Sequence, residues 1–396
     1  MSMSLYYDII TLTYTEDRLL DNLSLFSDGT RDATEALQKL LDGRGYIYLP
    51  RGKYLISKTL VIRGGTCLSL APRATIRLAD GANCTMIVSD HSVENHDITI
   101  EGGVWDGNCS AQVRCHEPDR YFYGTAVQLL NTFDLTVRNL TVKDPEAFAI
   151  QIADAERFTV ENITFDFNMM KPNMDGVHVQ GRARNGYIRN IKGATNDDMV
   201  ALNCDDGLNG KIYQGDIENI EVDGVFCENG YTAVRLLSCG SKMRNVKISN
   251  IFGTYRFYAV SFTHHNIIPG APVWFDNITV DGIYASKAPQ TYETEYDRNA
   301  RDSTDEAYGK GTNDWAVRAE PIIWFATGVR CGNVTLRNIH RIEEAVTEAV
   351  TIDINENVEI ERLYIDDVFQ RFVNCPEMPI IRNKGEVKKL ITNAVD

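Results

Sequence analysis

The sequence predicts an all-β solenoid, a parallel β-helix of stacked coils with a capping helix at its N-terminal end. Three observations predict it. A short phrase of alternating apolar and polar residues around an asparagine recurs: VRNLTV at Asn139, VENITF at Asn162, IRNIKG at Asn190, IENIEV at Asn219, ISNIFG at Asn250, FDNITV at Asn277 and LRNIHR at Asn338. The steps between these asparagines are 23, 28, 29, 31, 27 and 61 residues, the last holding either two turns of the repeat or one with a long insertion. The phrases are rich in Val, Ile and Thr, with strand rather than helix periodicity and no helical stretch between them. A single coil of this size cannot bury its apolar face alone, so neighbours stack and bury it together.

The opening segment differs. Ser27–Leu41 (SDGTRDATEALQKLL) carries Ala36, Leu37, Leu40 and Leu41 as a helical stripe, with Thr30 or Asp32 near the helix start. GYIYLPRGKYLI then reads as strand, turn and strand, with Pro50, Arg51 and Gly52 at the turn. A helix over the open end would cover an otherwise exposed sheet edge. The expected organisation is a cap over 1–60 and coils over 61–396. A polar insertion at 287–316 interrupts the coils, and last coils and a tail follow Val358. Recurring asparagines at one corner are expected to stack as a ladder. That role accounts for most of the seven Asn-x-Ser/Thr sites without glycosylation. In MRNVKISNI either Asn245 or Asn250 fits the ladder.

Composition narrows the function. Of 396 residues, 43% are apolar and 24% charged, as in an ordinary globular protein. Net charge is −15, from 40 basic and 55 acidic residues, which argues against a general nucleic-acid or anionic-membrane partner. No apolar run approaches the ~18 residues of a membrane span. Met1–Asn22 lacks the basic and apolar regions of a secretory signal, so a cytoplasmic protein is expected unless a leader has been removed. Nine irregularly spaced cysteines without a CxxC pair predict buried thiols, with neither disulfides nor a zinc site.

The chemistry centres on carboxylates. Asp175 in KPNMDGVHVQG stands 22 and 23 residues before Asp197 and Asp198 in GATNDDMVALN, about one coil. Stacked strands lie ~4.8 Å apart, so the three acids should meet on one patch. Two carboxyl groups about a glycosidic bond are what its hydrolysis needs, one protonating the leaving oxygen and the other activating water or attacking. Crowding would keep one acid protonated. Asp and Asn are also ordinary turn residues, the reading preferred for Asp205 and Asp206 in NCDDGLNG. No EF-hand spacing supports calcium. Lys171, Arg182, Arg184, Arg189, Lys192, Lys211 and Arg235 gather nearby, either as an anion site or as charged strand edges.

These motifs resemble glycoside hydrolase family 28, the polygalacturonase-like, right-handed β-helix enzymes. That family carries Asn-x-Asp-Gly on one coil and Gly-Asp-Asp on the next. Here Asn173-Met174-Asp175-Gly176 and Asn196-Asp197-Asp198 match, and TAVRLLS places Arg235 at the family arginine. The opening segment is similar to that of the wider pectin-degrading group. The resemblance implies Asp197 as general acid, with Asp175 and Asp198 holding and activating water. It implies inversion across a ~6.5–9.5 Å gap between acid and base, with no cofactor and no metal. It implies sugar contacts from Asn173 and Arg235.

Two departures stand out. No Gly-His-Gly occurs between Asn219 and Tyr231, and Leu237 replaces the lysine of Arg-x-Lys, which leaves a uronate at the cleavage subsite open. His178 either replaces the missing histidine or bonds its neighbours. His264, paired with His265 in SFTHHN, either reaches the groove or is structural; Tyr255, Arg256 and Tyr258 are candidate stacking residues. The expected partner is an oligosaccharide, pectic or related, with the oligomeric state open. A polysaccharide lyase, a transglycosylase and a non-catalytic carbohydrate-binding β-helix remain the alternatives.

Overall fold

The computed structural model describes residues 23–113, 124–169, 171, 173–205, 213–265, 274–288 and 320–395. Among them the chain is almost entirely strand, with one α-helix, α1 (Thr34–Asp42), and a single 3-10 turn at Cys109–Ala111.

Strand pairing among the described residues is parallel throughout, each strand lying on the equivalent strand of the coil before it. One column runs Ile87, Val127, Ile150, Val177, Val200, Val234, Val260, Ile323 and Ile352, each registered with the next. All are buried in one continuous apolar core. Burying each such side chain contributes about 1.5–3 kcal/mol relative to exposure, so the stack is held mainly by its interior. Val260 pairs directly with Ile323, and Ile283 with Ile339. The 61-residue step is therefore one coil with an insertion. Lys287 still belongs to the strand Trp274–Lys287, so the insertion starts later than residue 287; residues 289–319 lie outside the described residues.

At the N-terminal end, α1 lays Leu37 and Leu41 onto Leu49, Leu60, Leu68 and Ile76. Gln38 bonds both backbone groups of Val61 on the strand Leu60–Ile62, accepting from its N–H (2.8 Å) and donating to its carbonyl (3.1 Å). Asp32 sits just before the helix and accepts from the Thr34 N–H at 2.9 Å. Parallel pairing already begins here, with Gly45–Leu49 on Thr66–Leu78.

The asparagine phrase resolves into two rows, not one. Asn139, Asn162 and Asn190 form one, continued by Gly224, Asn250, Gly282 and Asn338. Asn185, Asn219, Asn245 and Asn277 form the other. MRNVKISNI thus supplies a residue to each. Every member has a positive φ, the left-handed conformation that Asn and Gly tolerate best. In the second row each amide donates to the side-chain oxygen one coil earlier: Asn219 to Asn185 (3.0 Å), Asn245 to Asn219 (2.9 Å), Asn277 to Asn245 (2.7 Å).

The cysteines are unpaired among the described residues, and Cys109, Cys204, Cys227, Cys239 and Cys331 are buried. No helix is long and apolar enough to cross a membrane.

Candidate active site

The registry that stacks Val177 on Val200 sets Asp175 level with Asp198, and the Gly176 N–H donates to the Asp198 carbonyl at 2.9 Å. Glycine is required at that contact. A Cβ on Gly176 would stand 2.4 Å from the Met199 carbonyl oxygen and 2.3 Å from the Phe165 ring. Asp197 precedes the strand Asp198–Asn203. One carboxylate oxygen from each of Asp175, Asp197 and Asp198 lies within 4.8 Å of the other two. The acids are 4%, 9% and 2% exposed, and none belongs to the apolar core. The predicted convergence is present, in a nearly closed polar nest rather than an open trough.

Each acid has a different set of partners. Asp175 meets His178, with Oδ2 at 2.5 Å from Nδ1. Asp198 meets Arg235, with Oδ2 at 3.5 Å from a terminal guanidinium nitrogen. Asp197 accepts from the Asn173 amide at 3.4 Å and from the Asp198 N–H at 3.0 Å. Burial first, then the charges of Asp175 and Asp198, hold the Asp197 carboxyl well above the usual carboxylate range. Burial also pushes Asp198 up to about 7, with Arg235 opposing. A carboxyl that keeps its proton near neutral pH is what a general acid requires.

Support comes from the coils on either side. Asn196 donates to the Lys171 carbonyl (2.8 Å) and accepts from Arg256 (3.0 Å). The Lys287 ammonium in turn donates to the Arg256 carbonyl at 3.0 Å. Phe148 stacks on His178 with ring centroids 4.0 Å apart. Phe148, Asn203 and Thr232, whose hydroxyl bonds Asp198, were not singled out in the sequence. A register count of one coil from Asp198 would have found Thr232, and one from Gln180 would have found Asn203, whereas Phe148 carried no signal of its own.

The other predicted positions fall as follows. Arg235 also donates to the Thr263 hydroxyl at 3.0 Å, so its guanidinium serves the acid cluster and the next coil. Tyr258 is buried, donates to Glu320 (2.8 Å) and stacks on Trp324 at 4.8 Å. His264 bonds the Thr327 carbonyl at 2.8 Å instead of the acids. Tyr255 is fully buried with its hydroxyl on the Phe252 carbonyl (3.0 Å), so it offers no face to a sugar. Arg182, Arg184 and Arg189 pair with Asp154, Glu156 and Glu161 of the coil before. They are charged strand edges, each worth little to stability. Asp205 accepts from the backbone of Cys239 (3.0 Å) and Ser241 (2.8 Å), a turn role as expected; Asp206 and Lys211 lie outside the described residues. A cavity of about 550 Å³ bordered by Phe133, Glu156, Arg182 and Glu218 has none of the three acids in its wall.

The model for glycosyl hydrolases family 28 matches residues 60–252, which contain all three acids and Arg235. The chain has the fold of glycosyl hydrolase family 28. Solved structures agree at the level of architecture. The endo-xylogalacturonan hydrolase of Aspergillus tubingensis superposes with TM-score 0.55 and 14% identity, covering 91% of this chain and 92% of the other. The exopolygalacturonase of Thermotoga maritima gives 0.52 and 12%, covering 93% and 89%. PfbA, a surface adhesin of Streptococcus pneumoniae, gives 0.51 and 14%, covering 91% of each chain. Over 162 residues, 35% of this chain, the sequence is 27% identical to the plasmin and fibronectin-binding protein A of Streptococcus pneumoniae, of whose length it spans 22%. This family 28 fold is a divergent one, with Leu237 buried where Arg-x-Lys would place lysine.

Proposed function

We propose that this chain is a glycoside hydrolase acting on a pectic or related oligosaccharide. In this reading Asp197 donates a proton to the leaving oxygen, and Asp175 and Asp198 hold and activate the water. The observation that carries it is the meeting of three buried carboxylates with unlike partners, an imidazole, a guanidinium and an amide. Asn173 and Arg235 are the candidate sugar contacts nearest the acids, with His264 and Tyr258 further along. We read the architecture as a right-handed parallel β-helix with α1 as its cap. No cofactor or metal is needed for this chemistry. The test is a panel of oligosaccharides with Asp197→Asn beside the wild type. Turnover should fall by about 10²–10⁴-fold with binding retained. Unchanged turnover would remove Asp197 as the acid.

Stereochemistry follows from the same panel by NMR of the first-formed anomer. Inversion is the outcome that direct attack by a water activated at Asp175 requires, and a retained anomer would overturn that role.

A second reading is a non-catalytic binding protein on the same fold. It is favoured by the resemblance to a protein whose name describes binding of plasmin and fibronectin. Binding of glycans or of such proteins, with no turnover on any glycan, would decide for it.

A further inference from the structure

We propose that His178 is the charge partner that keeps Asp175 ionised as the base, and thereby assigns the roles of the three acids. The inference rests on the hydrolase reading above and adds to it a positioning residue.

The argument is one of charge. Three carboxylates this close, shielded from water, cannot all be ionised without compensating cations. Asp198 has Arg235. Among the described residues the hydrogen-bond donors to Asp197 are neutral, the Asn173 amide and the Asp198 N–H, and the charge of Arg235 reaches it only without a bond. Asp175 has the His178 ring at 2.5 Å. With His178 protonated, Asp175 and Asp198 each have a cation beside them, and Asp197, without one of its own, holds its proton longest. Asp197 is then the acid and Asp175 the base. In the reaction Asp175 takes a proton from water as the water oxygen bonds to the anomeric carbon. Asp197 gives its proton to the glycosidic oxygen as the old bond breaks.

The surroundings of His178 fit a ring held for this purpose. Val177 and Val179 point into the core, and His178 between them points to the opposite side of the strand. Phe148 of the preceding coil covers one ring face, 13° from parallel. Asn203 of the following coil places its amide nitrogen 3.5 Å from Nε2. The Asn203 oxygen is buried and has no hydrogen-bond partner among the described residues. A half-turn of that amide presents an acceptor to a ring protonated on both nitrogens. Among the described residues, the charged groups shown to act on the ring are Asp175 on its own coil and Asp198 on the next. The Gln151 amide, which registers with His178 from the preceding coil, is uncharged.

The experiment compares kcat and KM against pH for wild type, His178→Ala and His178→Gln, on an oligosaccharide that the wild type hydrolyses. In His178→Ala, kcat should fall about 10-fold or more with KM within about 2-fold. Its acid limb should move, because the base loses its nearest cation. Glutamine, which still donates to Asp175, should recover part of the rate. An acid limb unmoved in folded His178→Ala overturns the proposal. NMR of the His178 ring nitrogens gives a readout independent of turnover. Asp175→Asn should lower the His178 titration midpoint, and an unmoved midpoint overturns the pairing. A wild type that hydrolyses nothing while this coupling persists overturns the hydrolase reading, and with it the catalytic role. Turnover without the coupling overturns only the present inference.

Discussion

Asp198 is a buried carboxyl whose folded state binds its proton more tightly than the unfolded chain does, so it makes stability depend on pH. Between the ordinary carboxylate value of 3.8 and about 7, the folded state carries the extra proton. Stability therefore falls as pH rises through that window, and the loss is complete above it. Asp197 acts in the same direction. Asp198→Asn should raise the unfolding free energy at pH 8 by on the order of 2–4 kcal/mol relative to its effect at pH 4, as read by urea unfolding at both. A substitution effect independent of pH would mean that Asp198 is ionised in the folded protein at both values. Gly176 is the other informative single residue. Its missing side chain lets the Asp175 turn sit against the Met199 carbonyl and the Phe165 ring. Gly176→Ala should cost about 1–3 kcal/mol of stability by calorimetry and lower turnover through displacement of Asp175.

At the scale of the element, the two asparagine rows let long strand segments bend without breaking the parallel pairing. Lys242–Tyr255 contains two such residues, Asn245 and Asn250, and keeps its register with Trp274–Lys287 on both sides of each. The left-handed backbone explains why the type is Asn or Gly. The side-chain bonds between coils explain why Asn is the commoner. Asn245→Gly should keep the backbone and lose only the ladder bonds to Asn219 and Asn277, costing about 1 kcal/mol. Asn245→Val should cost more, about 2–3 kcal/mol, because a β-branched residue is strained at positive φ. Denaturant midpoints for the two variants check the order. Equal losses would show that the ladder bonds alone matter.

The whole molecule is a stack in which each coil is stabilised by its neighbours, and the coil with the long insertion has its own fastening. The Arg341–Glu343 pair is fully buried at 2.8 Å, with Arg341 also donating to the Ala349 carbonyl at 2.8 Å. Glu343 accepts from the Lys287 N–H at 3.1 Å, which ties the strand before the insertion to the strand after it. Glu343→Ala leaves a buried guanidinium without its carboxylate and should cost about 3–5 kcal/mol in unfolding free energy. Replacing both partners with apolar residues should cost much less, and the comparison separates a missing charge partner from lost packing.

The sequence alone determined the repeat, and with it the strand class, the parallel stacking and the meeting of Asp175 with Asp197 and Asp198. These follow from chain periodicity, and in a stacked coil one period in sequence is one step in space. It did not determine which asparagines share a row, because Asn219 and Asn250 sit in nearly identical phrases and differ only in the register of the coil. Nor did it show that Tyr255 lies inside the core, or that Arg235 is bonded to Asp198 and Thr263. The division of charge among the three acids was decided by tertiary structure alone. Protonation depends on burial and on which cation lies within a few ångströms, and both are set by coils that are far apart along the chain.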